Sequence, residues 1–425
     1  MNGTAQHCDL LIVGAGPAGM AAALAAAPRG LAITLVDDNI HPGGQIWRDG
    51  PGVALPPLAR QHRDALARHP NIRLLCGTRV VGLGGPAAPG DAPALLLEDA
   101  ERGWTQHSRR LILCNGAREL LLPFPGWTLP GVTGAGGLQA LVKGGVPVRG
   151  QRIVVAGTGP LLLAAVDTAR KAGAQVLRIA EQAAWQALAA FALQLPRWPA
   201  KALQAATLFN PRWRASSHVL RAEGAGALER VTLQRGPRPE NQETLACDRL
   251  ACGFGLVPNT QLGQLLGCGL NARQGLQVDA LMATTVHGVH AAGECTGFGG
   301  SERALLQGAI AGHAATGDTA RAQALWPALA RWEGFADLLH RQFQLRDAVR
   351  HLAAPDTLVC RCEDVPHQAL AGRTGWIDAK LHTRCGMGAC QGRVCGAAAQ
   401  VLYGWTPAPP RHLLAPVRIG TLARD

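Results

Sequence analysis

Short apolar runs alternate with helical stretches at the start of the chain. Residues 10–13 and 31–36 are continuous apolar runs of strand length, and an alanine-rich stretch lies between them. Short apolar runs bounded by turns are typical of strands that are buried on both faces of a parallel sheet, with helices as the crossovers. Residues 9–37 are therefore predicted to form a strand–helix–strand unit.

The same pattern recurs further along the chain, so it is an internal repeat. A predicted strand over residues 152–155 precedes a predicted helix over 161–172 and a predicted strand over 175–179. Between the two copies, residues 122–148 are rich in proline and glycine, which mark loops and boundaries. The predicted fold class is α/β, with two dinucleotide-binding, Rossmann-like domains.

The turn after the first strand carries the motif G-x-G-x-x-G. Gly14 permits a tight turn, Gly16 has no Cβ to block a pyrophosphate, and Gly19 lets the helix pack close to the strand. The helix N-terminus then offers free N–H groups to phosphate. Asp37 ends the second strand, where a carboxylate accepts a hydrogen bond from a ribose hydroxyl. This context predicts a dinucleotide site but does not distinguish FAD from NAD.

The repeat carries a weaker form of the motif. Gly157 and Gly159 follow its first strand, and Glu181 stands where Asp37 stands in the first copy. Leu162 replaces the third glycine, so the helix is expected to pack less closely. The repeat is predicted either to bind a nucleotide or to be a purely structural unit.

Three further segments contain residues that can line a flavin site. Gly44 and Gln45 follow the first acid, and Gly116 lies at a strand-to-loop switch. Gly293 and Glu294 end a predicted strand before a helix that runs from about residue 301 to 315, so this carboxylate can hold a ribityl hydroxyl.

Composition and charge indicate the cellular location and the kind of partner to expect. The hydrophobic content is 48%, but no run approaches the ~20 apolar residues of a membrane span, and no basic segment precedes an apolar one at the N-terminus. We therefore expect a cytoplasmic protein. The net charge is +12 with scattered basic residues and only 4% aromatics, which favours an acidic partner subunit or the inner face of an anionic membrane over nucleic acid.

Five of the twelve cysteines lie within residues 360–395, in the sequences CRC and CGMGACQGRVC. Without a recognisable export signal, metal or redox use is a better interpretation than a disulfide framework. Four thiolates can hold [2Fe–2S], whereas zinc usually takes more widely spaced pairs. A [2Fe–2S] cluster is favoured, zinc and unligated thiols stay open, and spacing does not identify the surplus cysteine.

Residues 183–219 are predicted to be helical and combine tryptophans with basic residues. Trp185, Trp198 and Trp213 lie among arginines and Lys201. Such a combination suits a protein interface, and a helical insert packed on its own domain is the alternative.

The nucleotide motifs together resemble the flavoproteins with two dinucleotide-binding domains that are akin to glutathione reductase. The residues that carry this resemblance are 14–37, 115–118, 157–159 and 293–294, and it covers about residues 8–315. It implies an FAD domain that is split by the second nucleotide domain. The redox-active cysteine pairs of disulfide reductases are missing from residues 42–47 and 183–245, so disulfide reduction is not expected.

A narrower resemblance spans nearly the whole chain. It rests on HPGGQIW at 41–47, VCRCEDV at 359–365, GMG at 386–388 and CQGR at 390–393. These are similar to the FAD subunit of multi-subunit amine dehydrogenases, which include opine oxidases, D-hydroxyproline dehydrogenase, heteromeric L-proline dehydrogenases and hydrogen cyanide synthase. The C-terminal part resembles the iron–sulfur domain of bacterioferritin-associated ferredoxin.

This resemblance implies which residues contact each cofactor. Flavin contacts are expected at Gly14, Gly16, Gly19, Asp37, Gly44, Gln45, Gly116, Gly293 and Glu294. Cluster ligands are expected at Cys360, Cys362, Cys390 and Cys395, with Cys385 as the surplus thiol. A second adenine nucleotide, NAD(P) or ATP, is expected at Gly157, Gly159 and Glu181. Glu294 departs from the aspartate common at its position.

The resemblance also implies the domain organisation. The FAD-binding domain is expected at 1–145 and 253–340, the second nucleotide-binding domain at 146–252, a small α-helical [2Fe–2S] domain at 355–405, and a tail at 406–425.

The expected function is that of an FAD- and [2Fe–2S]-containing oxidoreductase subunit of an amine dehydrogenase. An FAD-containing partner subunit would oxidise the amine, a small ferredoxin-like subunit is a further expected partner, and electrons would pass to a quinone or another acceptor. No catalytic residue is assigned. Two alternatives stay open, a stand-alone NAD(P)H-dependent reductase and a non-redox scaffold subunit.

Overall fold

Parallel strands and crossover helices dominate the computed structural model, which describes residues 5–423. The strands within these residues are β1 Gln6–Val13, β2 Ile33–Val36, β3 Ile72–Leu75, β4 Arg79–Leu83, β5 Ala92–Glu98, β6 Gly103–Leu113, β7 Ala117–Glu119, β8 Val132–Gly134, β9 Arg152–Gly157, β10 Gln175–Glu181, β11 Trp213–Arg214, β12 Ser217–Glu223, β13 Arg230–Arg235, β14 Gln242–Ala246, β15 Arg249–Gly253, β16 Leu256–Pro258, β17 Val289–Ala291, β18 Leu358–Cys360 and β19 Val365–Pro366.

The α-helices within the same residues are α1 Pro17–Ala26, α2 Pro57–Arg68, α3 Ala135–Lys143, α4 Leu161–Lys171, α5 Trp185–Gln194, α6 Pro199–Leu208, α7 Gln261–Leu265, α8 Ser301–Ala315, α9 Thr319–Ala324, α10 Trp326–Gln342, α11 Asp347–Arg350, α12 His367–Leu370, α13 Trp376–Thr383, α14 Cys395–Tyr403 and α15 Ile419–Leu422. None of them is long and apolar enough to cross a lipid bilayer.

The packing of the backbone divides the chain into two units. The first comprises residues 5–118, 258–336 and 409–423, and the second comprises residues 119–257 and 337–408. The first unit is thus interrupted by the second. The predicted domain bounds and the assignment of cofactors to them stay predictions.

The first unit is built on a sheet with the strand order β3-β2-β1-β6-β5-β4. Strand β17 pairs with residues 111–113 at the carboxyl end of β6. Strands β1, β2, β3, β6 and β17 run parallel, whereas β4 and β5 form an antiparallel extension. The carboxyl ends of the parallel strands meet at one edge, where α/β folds place their ligands. Gly14, Asp37 and Gly293 all follow such a strand end.

Helices α1 and α8 cross closely because α8 carries glycines at the contact. A Cβ atom on Gly308 would lie 2.1 Å from the Ala18 carbonyl oxygen, and one on Gly312 would lie 2.3 Å from that of Ala22. The apolar core around them includes Met20 and Ile310, which are fully buried. This contact places the N-terminal end of each helix beside the strand ends.

The end of the described chain packs back onto the antiparallel strands of the first unit. Leu414 is buried in the core and its N–H donates to the carbonyl of Val81 at 2.8 Å. The buried Glu98 carboxylate accepts hydrogen bonds from the Thr421 hydroxyl at 2.6 Å and the Arg418 N–H at 3.0 Å. The C-terminal segment is therefore a structural part of this unit.

The second unit repeats the parallel arrangement of the first. Its main sheet has the order β11-β10-β9-β15-β8, and every neighbouring pair is parallel. Here β9, β10 and β11 take the places of β1, β2 and β3. The predicted internal repeat is therefore present, and the α/β class with two Rossmann-like folds is confirmed.

The helical prediction over residues 183–219 is wrong for residues 209–219. Helix α6 ends at Leu208, and β11 and β12 follow. Strand β12 pairs with β13, which pairs with β14, in a separate antiparallel sheet. This long-range pairing overrides the helical preference of the segment.

The cysteine-rich region belongs to the second unit and is small and mostly helical. Strands β18 and β19 form a short ladder, and α12, α13 and α14 pack around it. Its core contains Val359, Leu370 and Trp376 together with buried cysteines.

Candidate functional site

The first glycine turn admits only glycine at two of its positions. Gly14 has a φ of +104°, and a Cβ there would lie 2.3 Å from the Cys114 carbonyl oxygen. A Cβ on Gly19 would lie 1.8 Å from the Gly14 carbonyl oxygen. Helix α1 starts with Pro17 after Gly16, and no side chain caps it. Its first N–H groups and the positive end of its dipole are thus available to a phosphate.

Asp37 is held against this turn by three hydrogen bonds. Oδ2 accepts from the Ala15 N–H at 2.6 Å, and Oδ1 accepts from the N–H and the side-chain amide of Asn39 at 2.8 and 2.7 Å. A carboxylate has about four acceptor sites, so Oδ2 retains capacity for a ribose hydroxyl. The structure thus brings Asp37 to the glycine turn as the spacing predicts.

The loop that carries Gly44 lies directly over Gly16. The Gly43 N–H donates to the Ala15 carbonyl at 2.8 Å, and a Cβ on Gly44 would lie 3.1 Å from the Gly16 Cα. Gln45 is different, because its side chain is exposed and its Oε1 accepts from Arg48 at 2.7 Å. The backbone of this loop, rather than the Gln45 amide, therefore closes around the turn.

Gly293 and Glu294 lie beside the same helix. Gly293 has a φ of +80°, and a Cβ there would lie 2.9 Å from the Ala18 Cβ. Burial raises the pKa of the Glu294 carboxyl, and the positive charge of Arg303 opposes this shift. Gln307 on α8 is 1% exposed, and its Oε1 accepts from the Gly293 N–H at 2.9 Å. Sequence reasoning missed Gln307, since nothing marks a single glutamine in a helix as buried.

One unmet polar atom shows that this arrangement suits a polar ligand. Asn115 Oδ1 is buried and has no hydrogen-bond partner among residues 5–423. The neighbouring Gly116, with a φ of +65°, has no atom within 4 Å of its would-be Cβ. A buried carbonyl without a partner costs free energy, so a ligand donor is expected here. The residues of the first unit thus fit a dinucleotide with a flavin.

The second glycine turn is assembled in the same way around Glu181. This side chain is fully buried, and it accepts hydrogen bonds from the Gly159 N–H at 2.8 Å and the Ala183 N–H at 2.9 Å. Burial raises the pKa of Glu181 to about 7, although these hydrogen bonds lower it. A Cβ on Gly157 would lie 2.0 Å from the Gly253 carbonyl oxygen, so this glycine is also required.

A segment of the same unit lies across the second turn. The ring of Phe343 is 3.6 Å from the position of a Cβ on Gly159. The Gln182 side chain donates to the Gln344 carbonyl at 2.8 Å and accepts from the Arg346 N–H at 2.9 Å. An aromatic side chain of the protein therefore packs beside the second glycine, on the side where a Cβ would project. Sequence reasoning missed this contact because it joins distant parts of the chain.

The cysteines form two neighbouring groups. Cys360, Cys385 and Cys395 are buried, and their Sγ atoms all lie within 4.8 Å of one another. The Sγ atoms of Cys362 and Cys390 are 3.9 Å apart, and Cys362 is exposed. Two thiolates on one tetrahedral ion, each at about 2.3 Å, lie roughly 3.8 Å apart. Cys362 and Cys390 thus have the spacing of a pair on one metal ion.

The pKa values of the buried thiols differ, because the thiols hydrogen-bond to one another. Hydrogen bonds from Cys385 and Cys395 lower the pKa of Cys360 far below its usual range. The same hydrogen bond to Cys360 raises the pKa of Cys385 to about 12. A thiolate at Cys360 is the form that binds metal. The structure groups Cys385 with two of the four predicted ligands, and the choice among them stays a prediction.

Glycines explain the shape of the cysteine loop. A Cβ on Gly388 would lie 2.2 Å from the Cys362 Cβ, and Cβ atoms on Gly386 and Gly392 would lie 2.5 and 2.9 Å from the Trp376 ring. The loop therefore wraps Trp376 and brings Cys390 to Cys362. This accounts for the glycines between the cysteines.

Comparison with known proteins identifies the family. Residues 8–324 match the model of the pyridine nucleotide-disulphide oxidoreductases. The chain belongs to this family. The prediction of an FAD-dependent oxidoreductase is thereby confirmed.

Individual members of the family are similar to this chain along most of their length. Hydrogen cyanide synthase subunit HcnB of Pseudomonas protegens is 32% identical over 91% of this chain and 89% of that protein. An opine oxidase subunit of Rhizobium meliloti is 30% identical over 91% of this chain and 90% of that protein. The solved L-proline dehydrogenase of P. horikoshii has a TM-score of 0.70 at 18% identity and covers 99% of this chain and 80% of that one, which supports the fold alone.

Proposed function

We propose that this chain is the FAD- and [2Fe–2S]-containing electron-transfer subunit of a multi-subunit amine dehydrogenase. The observation that carries the proposal is the presence, in one chain, of a flavin-type dinucleotide site and a group of five neighbouring thiols. The relatives that match over about nine-tenths of the chain are named as subunits of hydrogen cyanide synthase and opine oxidase. The substrates are therefore expected among opines, hydroxyproline, proline, glycine or similar amines.

The residues have separate tasks in this function. Asp37 and Asn115 would orient the dinucleotide, and the first turn of α1 would receive its phosphates. Cys362 and Cys390 would hold one iron, and Cys360 and Cys395 the other, with Cys385 as the surplus thiol. A bound flavin exchanges either one or two electrons, whereas a [2Fe–2S] cluster exchanges one at a time, so the pair suits a junction between amine oxidation and a quinone or other acceptor. We assign the FAD-binding role to the first unit, and the cluster and a second nucleotide fold to the second.

The amine would be oxidised in a partner subunit. No histidine or carboxylate at the proposed flavin site has geometry that assigns proton transfer to it among residues 5–423, and we name no catalytic residue. The main partner that we propose is an FAD-containing amine-oxidising subunit, and the second is a small ferredoxin-like subunit. The excess of positive charge is compatible with a cytoplasmic complex at the inner face of the membrane.

A stand-alone NAD(P)H-dependent reductase is the second candidate, because Glu181 and the glycines at 157 and 159 retain the nucleotide-binding layout. A carboxylate at this position favours NADH over NADPH. The contact between Phe343 and Gly159 argues against entry of NADH, and a second adenine nucleotide such as ATP would need the same space.

Anaerobic reduction of the purified chain distinguishes the two functions. NADH should leave the flavin absorption unchanged under the proposed function and bleach it under the second. The amine substrate should bleach it only in the complex with the partner subunit. Bleaching of the isolated chain by NADH at catalytic rates would overturn the proposal.

A further inference from the structure

Two successive helices of the second unit are rich in apolar residues, yet no residue of either is buried. Helix α5 reads WQALAAFALQ, and only its two glutamines are polar. Helix α6 follows after a short turn, and it also contains no buried residue. A helix that is hydrophobic all round is normally enclosed by protein. These helices therefore have apolar surface that the described chain does not cover.

Four large apolar side chains of this segment are exposed. The exposed fractions are 69% for Trp185, 83% for Leu193, 68% for Leu203 and 67% for Phe209. Single exposed apolar residues are ordinary, but a group on one helical pair marks an interaction site. We call the surface formed by these four side chains the α5–α6 surface.

The charged residues of the segment that contains the α5–α6 surface all have one sign. No aspartate or glutamate occurs between Glu181 and Glu223, whereas Arg197, Lys201, Arg212 and Arg214 lie within the segment. Interfaces commonly combine an apolar centre with a polar rim of complementary charge. The complementary surface is therefore apolar in the centre and acidic at its edge.

We propose that the α5–α6 surface is the docking site for a different subunit, whose apolar patch is rimmed by aspartate and glutamate. A second copy of this chain is a poor occupant, because both copies carry a net charge of +12 and would bring the same basic side chains together. Helices that bind a lipid surface carry a strongly charged polar face, whereas α5 contains no charged residue. A protein is therefore the better occupant.

This inference rests on the proposed function in one respect, since it requires that the chain works in a hetero-oligomer. It does not depend on which cofactors the chain holds. Obligate subunit interfaces are more hydrophobic than transient ones, which agrees with two helices that lack any buried residue.

The test is the composition of the complex isolated from the native host through a tag on this chain. The double variant Leu193→Glu with Leu203→Glu should release the partner subunit, with association weakened roughly thirtyfold or more. The control Ile40→Glu changes an equally exposed apolar side chain in the first unit and should leave the complex intact. Flavin content and thermal midpoint of the isolated chain should be unchanged in all variants, which shows that folding is preserved.

Three outcomes would overturn the proposal. The partner is retained by the double variant, or the wild-type chain forms homo-oligomers that the double variant dissociates, or the wild-type chain binds phosphatidylglycerol vesicles and the double variant does not. A complex that needs the α5–α6 surface but fails to oxidise any amine would reject the proposed function and leave the docking site standing. Substitutions Arg212→Glu and Arg214→Glu should make association slower and less sensitive to salt.

Discussion

The ring of Phe343 lies 3.6 Å from the position that a Cβ atom would occupy on Gly159, the second glycine of the second dinucleotide motif. In the first motif, a Cβ on the corresponding Gly16 would meet the Cα of Gly44 at 3.8 Å instead. The two motifs thus share a fold and differ in the group that packs beside the second glycine. That group is the backbone of another glycine in the first motif and an aromatic ring in the second.

Removal of the Phe343 ring should therefore open the second site. We predict that NADH and ADP do not bind measurably to the wild-type second site, and that Phe343→Ala gains at least about tenfold in affinity for one of them, because a ring no longer packs beside the glycine that a pyrophosphate approaches. Isothermal titration calorimetry measures this. Phe209→Ala, which removes an exposed ring, is the matched control. Tight binding of NADH to the wild-type chain would contradict the interpretation.

The buried Glu181 should make stability depend on pH. Its pKa is raised from 4.5 to about 7 in the folded chain, so the folded state binds more protons than the unfolded state between these values. The free energy of unfolding should therefore be highest below pH 4.5 as far as this group is concerned, and fall as the pH rises through 7. The loss is on the order of 3 kcal/mol.

Glu181→Gln removes the titration and keeps an oxygen that accepts from one backbone N–H. The difference in unfolding free energy between pH 5 and pH 8, measured by urea denaturation, should shrink by this amount in the variant. If the unfolding free energy of the variant changed between pH 5 and pH 8 by as much as that of the wild type, Glu181 would be ionised over this whole pH range.

The pair formed by Cys362 and Cys390 should be needed for iron. Cys390→Ser is predicted to abolish the cluster, because the 3.9 Å spacing to Cys362 assigns both thiols to one metal ion. Cys385→Ser, at the surplus thiol, should keep it. Iron and acid-labile sulfide analysis, together with visible absorption, measures the cluster content of both variants. Full iron in Cys390→Ser would move the ligand assignment to Cys385.

The C-terminal segment should stabilise the first unit through Glu98. Burial by itself would raise the pKa of this carboxyl, but the hydrogen bonds from Thr421, Arg79 and Arg418 outweigh burial and lower it to about 2. This contribution to stability is present above pH 4.5 and is lost as the pH falls toward 2.

Thr421→Val removes one donor to the ionised carboxylate, which should cost about 1.5–3 kcal/mol at neutral pH and less in acid. Urea denaturation of the variant, beside Thr128→Val at an exposed position, tests this. Equal midpoints for both variants would mean that the segment does not contribute to stability.

Sequence patterns predicted the parts of the fold that depend on local chemistry. The helix expected from about 301 to 315 is α8, and the acids at 37 and 181 each reach their glycine turn. These features follow from short-range periodicity and from turn residues. The grouping of the five cysteines was also expected from their spacing.

Long-range contacts were not predictable in the same way. Residues 209–219 did not form the helix that was expected for them, because β12 pairs with β13 in an antiparallel sheet. Phe343 at the second turn, Gln307 at Gly293 and Thr421 at Glu98 join segments that are far apart in the sequence. No single-sequence pattern records such pairs.

Under the proposed function, electrons reach this chain from an amine that a partner subunit oxidises. The deciding experiment is the anaerobic absorption and EPR spectrum of the complex isolated through this chain, taken before and after addition of opines, D-hydroxyproline, L-proline or glycine. At least one of these amines should bleach the flavin and produce the signal of a reduced [2Fe–2S] cluster, while the isolated chain should not respond to it. A complex without iron, or an isolated chain that NADH reduces at catalytic rates, would show that the proposed function is wrong.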